Sequence, residues 1–285
     1  MALLATEDHA SRRVVIGRMT VGLVVAAVFL IPYAVMFIGS LKTRSEILSV
    51  PPDYLPRDGA QWSNYLTMWD TPETPVAYNL ISTVVIAVAA TLLVLLVAMP
   101  AAYYSARFKY RGKMAFMFLV IVTQMLQPAI LTVGLFKEML VFNLYDTWLA
   151  MILINAAFNL AFAVWIMHTF FAGVPKEVDE AAQLDGAGKL RVLFTINLPL
   201  VWPGIVTALI FTFVACWNEF AASLVILSTA ENQPLSVALT RFVGQYSTAW
   251  QYVFGVSIVA IVPVIILFML IEKRLIGGLA AGATK

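Results

Sequence analysis

Six stretches of this sequence run for more than twenty residues without a charged side chain: 19–41, 74–106, 114–136, 147–175, 192–218 and 242–271. A helix rises 1.5 Å per residue and a bilayer's hydrocarbon core is about 30 Å thick, so about 20 apolar residues suffice to cross it. Backbone groups in lipid must bond within their own segment, so the pattern predicts helices. Any surplus length goes into tilt or interfacial turns. The predicted spans are 19–41, 79–104, 114–136, 147–171, 196–218 and 248–271, within one transmembrane domain covering 1–285. The expected class is an all-α polytopic membrane protein with six transmembrane helices.

Composition agrees with the pattern. The chain is 61% hydrophobic and 12% charged, whereas soluble domains run about 45–50% apolar and about 25% charged. Ser11-Arg12-Arg13 ahead of the first stretch is loosely similar to a twin-arginine export signal. Five further apolar stretches and no small-residue cleavage pattern favour a retained first helix. The one cysteine, Cys216, lies in an apolar run and reads as a buried small hydrophobe. His9 and His168 stand far apart without nearby cysteines, so no metal site is expected. A net charge of +2 gives no reason to expect a nucleic-acid partner.

Where the basic residues fall sets the orientation. If both termini lie inside, so do Arg12, Arg13, Arg18, Arg107, Lys109, Arg111, Lys113, Lys176, Lys189, Arg191, Lys273, Arg274 and Lys285. Only Lys42, Arg44, Arg57, Lys137 and Arg241 lie outside. Both termini are therefore expected in the cytoplasm. The longest outer loop, about 41–78, carries five prolines, and Trp62, Tyr65, Leu66 and Trp69 in it recur at i, i+3, i+4, i+7. That spacing predicts a one-faced surface helix, either packed over the helix ends or meeting an external partner.

Several polar side chains fall at membrane depth: Gln124 and Gln127, Asn155 and Asn159, Asn218 and Glu219. A transporter of a hydrophilic solute needs such groups along its path. Asn155 and Asn159 share a helix face at i, i+4, and Gln124 and Gln127 do so at i, i+3. The plainer alternative is polar contact between helices, worth about 0.6 kcal/mol each. An ionised Glu219 facing lipid at mid-membrane would cost about 2.5–3.5 kcal/mol on insertion scales, so a cavity, the interface or a partner is expected. Gly22, Ala26, Ala27, Ala87 and Ala90 read as helix-packing positions.

The segment 174–199 differs from every other loop. Pro175 suits a helix's first turn, and Glu177, Asp179 and Glu180 put negative charge at the positive end of its dipole. Ala181 and Ala182 keep one face smooth, and Gly186 can take positive φ to end the helix. A second helical stretch from Lys189 leads back to the membrane and stops before Pro199. By physics alone this could be a solvated connector. Gly188-Lys189 does not make a phosphate-binding loop: Leu190 follows the lysine, and Gln183 stands where the first glycine belongs.

Glu180-Ala181-Ala182, three residues, Gly186, nine residues, Ile196, one residue, then Leu198-Pro199 resembles the EAA loop of bacterial ABC importer permeases. Trp217-Asn218-Glu219-Phe220 and the tail 279–285 are similar to segments of the carbohydrate, maltose-type branch, in its smaller six-span kind. The tail departs from that pattern, lacking a final glycine and holding Thr284 where valine is common. The resemblance implies a type I importer permease architecture. It implies that Glu180, Ala181, Ala182, Asp185, Gly186, Ile196, Leu198 and Pro199 dock on a separate ATPase. It implies a second permease subunit, expected to be a different chain, two ATPase subunits, an external solute-binding (lipo)protein and a bacterial inner membrane around them. ATP and magnesium would sit on the ATPase, with no cofactor and no catalytic residue in this chain. The implied solute is a sugar or oligosaccharide, with a glycerol phosphoester or a polyamine as the alternative. A secondary transporter is the rival from another class. It would lean on paired intramembrane charges, and Glu219 has no basic partner in a span. A membrane enzyme would need convergent nucleophile, base or metal ligands that the sequence does not supply.

Overall fold

The computed structural model describes residues 12–57, 59–71, 74–124, 128–244 and 248–282, and the side chains of most of these. Helices dominate the described residues. Four are long and apolar enough to cross a membrane: α1 (Arg12–Ser40), α2 (Val76–Arg107), α5 (Trp148–Gly173) and α10 (Trp250–Gly282). Between α2 and α5 lie α3 (Lys113–Thr123) and α4 (Pro128–Val141). The stretch 114–136 is thus carried by two helices, and proline is tolerated at the first position of the second because that N–H would be unbonded anyway.

The fifth apolar stretch is bent. Residues Lys189–Leu200 and α7 (Trp202–Trp217) meet at 81°. Pro203 explains the break: its ring clashes with the carbonyl four residues earlier and it has no N–H to bond there, so a straight helix cannot pass Val201. Around the corner, Val201 accepts from the backbone N–H of Gly204 at 2.8 Å and of Ile205 at 3.1 Å. Before the corner, Val192–Asn197 is a π-helical turn. Two short helices, α8 (Ala221–Ile226) and α9 (Leu235–Arg241), separate α7 from α10.

The core lies where α2, α5 and α7 pack together. Ala98, Ala102, Ala163 and Ala208 are wholly buried beside Met167, Phe171 and Leu193. Small residues let these backbones approach closely, the usual device where lipid gives helices no hydrophobic reason to associate. Ala87 and Ala90 are likewise wholly buried, against Phe213, Cys216 and Trp217. Gly22, Ala26 and Ala27 are instead exposed, because α1 stands apart from the core over its apolar length. It meets α10 near its end, where Gly39 faces the Phe254 ring.

The aromatic stripe of the first outer loop divides. Trp62 and Leu66 are exposed, while Tyr65 reaches Ser40 Oγ at 2.8 Å and Trp69 packs on the cluster around Met68 and Val256. Trp62, though exposed, also sets its ring edge-on to Phe37 of α1 at 6.3 Å, so packing over the helix ends accounts for every member of the stripe but Leu66.

Candidate coupling site

The segment after α5 forms α6 (Lys176–Leu184), with Pro175 as its N-cap and Glu177 and Asp179 in its first turn. It closes on two 3.0 Å bonds, Gly186 N–H to the Gln183 carbonyl and Ala187 N–H to the Ala182 carbonyl. This paired closure needs a left-handed residue, and Gly186 sits at φ +79°. Expectation and structure coincide on a short charged helix, a glycine turn and a second helical segment. That segment does not stop before Pro199, however, but runs on to Leu200. Pro199 stands in the first turn of the α-helical piece that follows the π turn, where its missing N–H costs little.

The two faces of α6 differ sharply. Glu180, Ala181 and Asp185 are exposed, whereas Ala182 and Asp179 are buried. Leu184 is 90% exposed, Leu190 71% and Phe194 53%, so along the sequence a strip of uncovered apolar side chains extends from α6 into the returning segment. Ile196 and Leu198 are half-buried, Leu198 packing on the core, and Pro199 is exposed at the bend.

Beneath α6 lies a buried ionic cluster that the sequence reading did not identify. Arg107 Nε stands 3.0 Å from Asp179 Oδ2, their side chains only 5% and 9% exposed. Arg107 Nη1 donates to the Val174 carbonyl at 2.7 Å and Nη2 to Asn197 Oδ1 at 3.1 Å. Asn197 Nδ2 donates to Asp179 Oδ1 at 2.8 Å, and the Tyr103 hydroxyl to Oδ2 at 3.2 Å. Removing one partner of such a buried pair costs about 3–5 kcal/mol, because a lone charge stays behind. The available signals were Arg107 closing a long uncharged run and Asn197 standing alone among apolar neighbours. Nearby, the Lys189 ammonium lies 4.9 Å over the Phe108 ring.

The polar residues proposed for a solute path do not form one cluster. Asn155 is buried and donates to the Met151 carbonyl at 3.0 Å. Asn159, half-buried, donates to the Asn155 carbonyl at 2.9 Å and approaches Cys216 Sγ at 3.7 Å. Gln124 is exposed on a groove shared with Val120, Ile121, Phe162 and Trp165, its Nε2 3.5 Å from the Phe158 carbonyl. Gln127 lies outside the described residues. Asn218 ends α7, exposed, and donates to the Val214 carbonyl at 2.8 Å. Glu219 opens α8: its carboxylate accepts from Ala222 N–H at 2.7 Å, Ser223 N–H at 3.0 Å and Ser223 Oγ at 2.6 Å. A carboxylate there satisfies helix-start N–H groups and sits at the positive end of the dipole. Of the tail 279–285, the helix backbone extends to Gly282 and the rest lies outside the described residues, as does His9. Among the described residues, no three His, Cys, Asp or Glu side chains come together as a metal site.

A bundle of apolar helices that carries one short, firmly seated amphipathic helix outside it is the architecture of a polytopic membrane protein. The chain belongs to the family of binding-protein-dependent transport system inner membrane components, whose pattern matches residues 96–277. It is an ABC importer permease. Similar proteins include the inner membrane ABC transporter permease protein YcjP of Escherichia coli (28% identical, 90% of this chain and 91% of that one). The sulfoquinovosyl glycerol transport system permease protein SmoH of Agrobacterium fabrum is 30% identical over 86% of this chain and 85% of its own. The trehalose/maltose transport system permease protein MalG of Thermococcus litoralis is 28% identical over 92% and 94%. The fold matches a chain from a bacterial ABC transporter involved in the import of the acidic polysaccharide alginate, with a TM-score of 0.75 at 21% identity over 92% of this chain and 98% of that one.

Proposed function

We propose that this chain forms half of the translocation path of an importer for a sugar or oligosaccharide and is driven through α6 by a separate ATPase. The observation that carries the reading is the exposed strip of α6 and its return segment. Leucine and phenylalanine side chains gain about 1.5–3 kcal/mol each on leaving water, and a strip of them on a loop outside the bundle is suited to being covered. Glu180 and Asp185 beside the strip supply charge for register. The second half of the path would come from another permease chain, and the solute from an external binding protein. Closure of two ATPase subunits around ATP and magnesium would press on α6 and favour the outward-facing state, since the strip is gripped differently in the two states.

In this reading the chain crosses the bacterial inner membrane six times with both termini in the cytoplasm, α3 and α4 together serving as the third crossing. Trehalose, maltose and sulfoquinovosyl glycerol in the names of similar proteins support a carbohydrate cargo. Asn155, Asn159, Gln124, Gln127, Asn218 and Glu219 remain the candidates to line the path.

Glu180→Lys tests the coupling role. The side chain is exposed, so the variant should reach the membrane at the parent's level yet lose its ATPase subunit during purification in mild detergent. Retention of that subunit would end the assignment. Uptake of radiolabelled maltose, trehalose, glycerol 3-phosphate and spermidine by cells expressing the parent would separate the sugar reading from the other two solutes.

A further inference from the structure

The acceptors gathered by Arg107 come from three other parts of the chain. Val174 caps the end of α5, where the last carbonyls of a helix have no intrahelical donor. Asp179 belongs to α6, and Asn197 to the π-helical turn before the bend. Arg107 itself is the last residue of α2. We propose that Arg107 is the positioning residue of the coupling loop, joining α2, the end of α5, α6 and the π-helical turn into one rigid mount. This inference rests on the coupling role given to α6 above.

The chemistry suits arginine in particular. Its planar fork hydrogen-bonds the Val174 carbonyl and Asn197 in two directions while its charge pairs with Asp179, whereas a lysine ammonium is a single point of charge. Asp179 answers with both oxygens, one toward Arg107 and Tyr103, the other toward Asn197. Asn197 also reaches the Val192 carbonyl five residues back, at 3.4 Å, across the π turn that brings its side chain over Asp179. Tyr103 seals the cluster from above, its ring edge-on to Phe108 and Phe171. A buried ion pair is a weak source of net stability; what it supplies is geometry. The outer face of α6 is bare while its inner face is bolted at Asp179. Pressure on the bare face therefore passes directly to α2, which packs along α5 and α7.

The test uses the whole importer complex in lipid nanodiscs. In a Cys216→Ser background, cysteines replace the exposed Lys109, beyond α2, and the exposed Lys176, at the start of α6. Pulsed electron paramagnetic resonance then measures the distance between nitroxide labels with and without ATP plus vanadate. The parent should give one narrow distance in both conditions. Arg107→Met combined with Asp179→Asn removes both charges together, so no lone ion is left buried, and the distance should spread and lose its single maximum. Arg107→Lys should spread it to an intermediate degree. A double variant, or an Arg107→Lys variant if the double fails to accumulate, that keeps the parent's narrow distance overturns the inference. The coupling role is read separately: ATPase retention by Glu180→Lys defeats that role whatever the distances are. Lost retention together with an unchanged distance in the charge-free variant defeats only the mount.

Discussion

Leu184→Ala isolates the exposed strip of α6 from everything beneath it. The parent side chain is 90% exposed, so truncation removes almost no packing within this chain and should leave its melting temperature in detergent unchanged. If an ATPase subunit covers the strip, three carbon atoms leave that interface. At about 0.8 kcal/mol per buried CH₂ the loss is ~2.4 kcal/mol, or ~50-fold in Kd. Leu190→Ala, at 71% exposure, and Phe194→Ala, at 53%, probe the same strip further along the returning segment. The assay is a titration of the nanodisc-held permease with the ATPase subunit that co-purifies with it, read by fluorescence anisotropy. A Kd for Leu184→Ala within about twofold of the parent, well under 1 kcal/mol, would refute burial of the strip. A marked fall in melting temperature would refute the exposure on which the calculation stands.

Two further outcomes follow from the packing. Asp146, in the turn before α5, accepts from the backbone N–H groups of Ser228 and Thr229 at 2.9 and 3.1 Å and from the Thr229 hydroxyl. Burial pushes its pKa up, but the Thr229 and Ser228 hydrogen bonds and Asn232 outweigh this and hold it below the usual carboxylate value. A depressed pKa stabilises the fold above the unfolded value and is lost as pH falls through the folded one. The melting-temperature gap between the parent and Asp146→Asn should thus be full at pH 7 and shrink below about pH 4; a gap independent of pH contradicts this. Gly204→Ala would set its new methyl 2.4 Å from Phe170 Cγ and 2.8 Å from Cβ. Swinging the ring aside does not relieve the second contact, so overpacking between α5 and α7 should cost about 1–3 kcal/mol, visible as a lower melting temperature, and an unchanged one counts against the close approach.

Single residues decided how much of this was readable beforehand. Charge-free length located the long helices because lipid demands length and internal bonding, and both are written locally. Gly186 and its turn were readable for the same reason: a positive φ four residues after an alanine pair needs no distant information. The 81° bend was signalled by Pro199 and Pro203, but a hydropathy window averages over them. Glu219 read as a charge at membrane depth, whereas it closes its bonds on Ala222 and Ser223; whether the chain turned there depended on α8 starting two residues later. The Arg107–Asp179–Asn197 cluster was hidden by separation. Its members stand 72 and 18 residues apart, and each alone has an ordinary surface explanation. Only the folding of α6 back under the end of α2 brings them into one dry place.

The 81° corner at Val201 has a mechanical consequence. Two nearly perpendicular arms make a bell crank: a displacement of the short arm, Lys189–Leu200, along its own axis is delivered almost wholly crosswise to the long arm, α7. An axial push on the short arm would thus reach α7 as a sideways one, with the corner at Val201 as the point of transfer. A straight helix through the same stretch would carry that displacement along its own length and move nothing sideways.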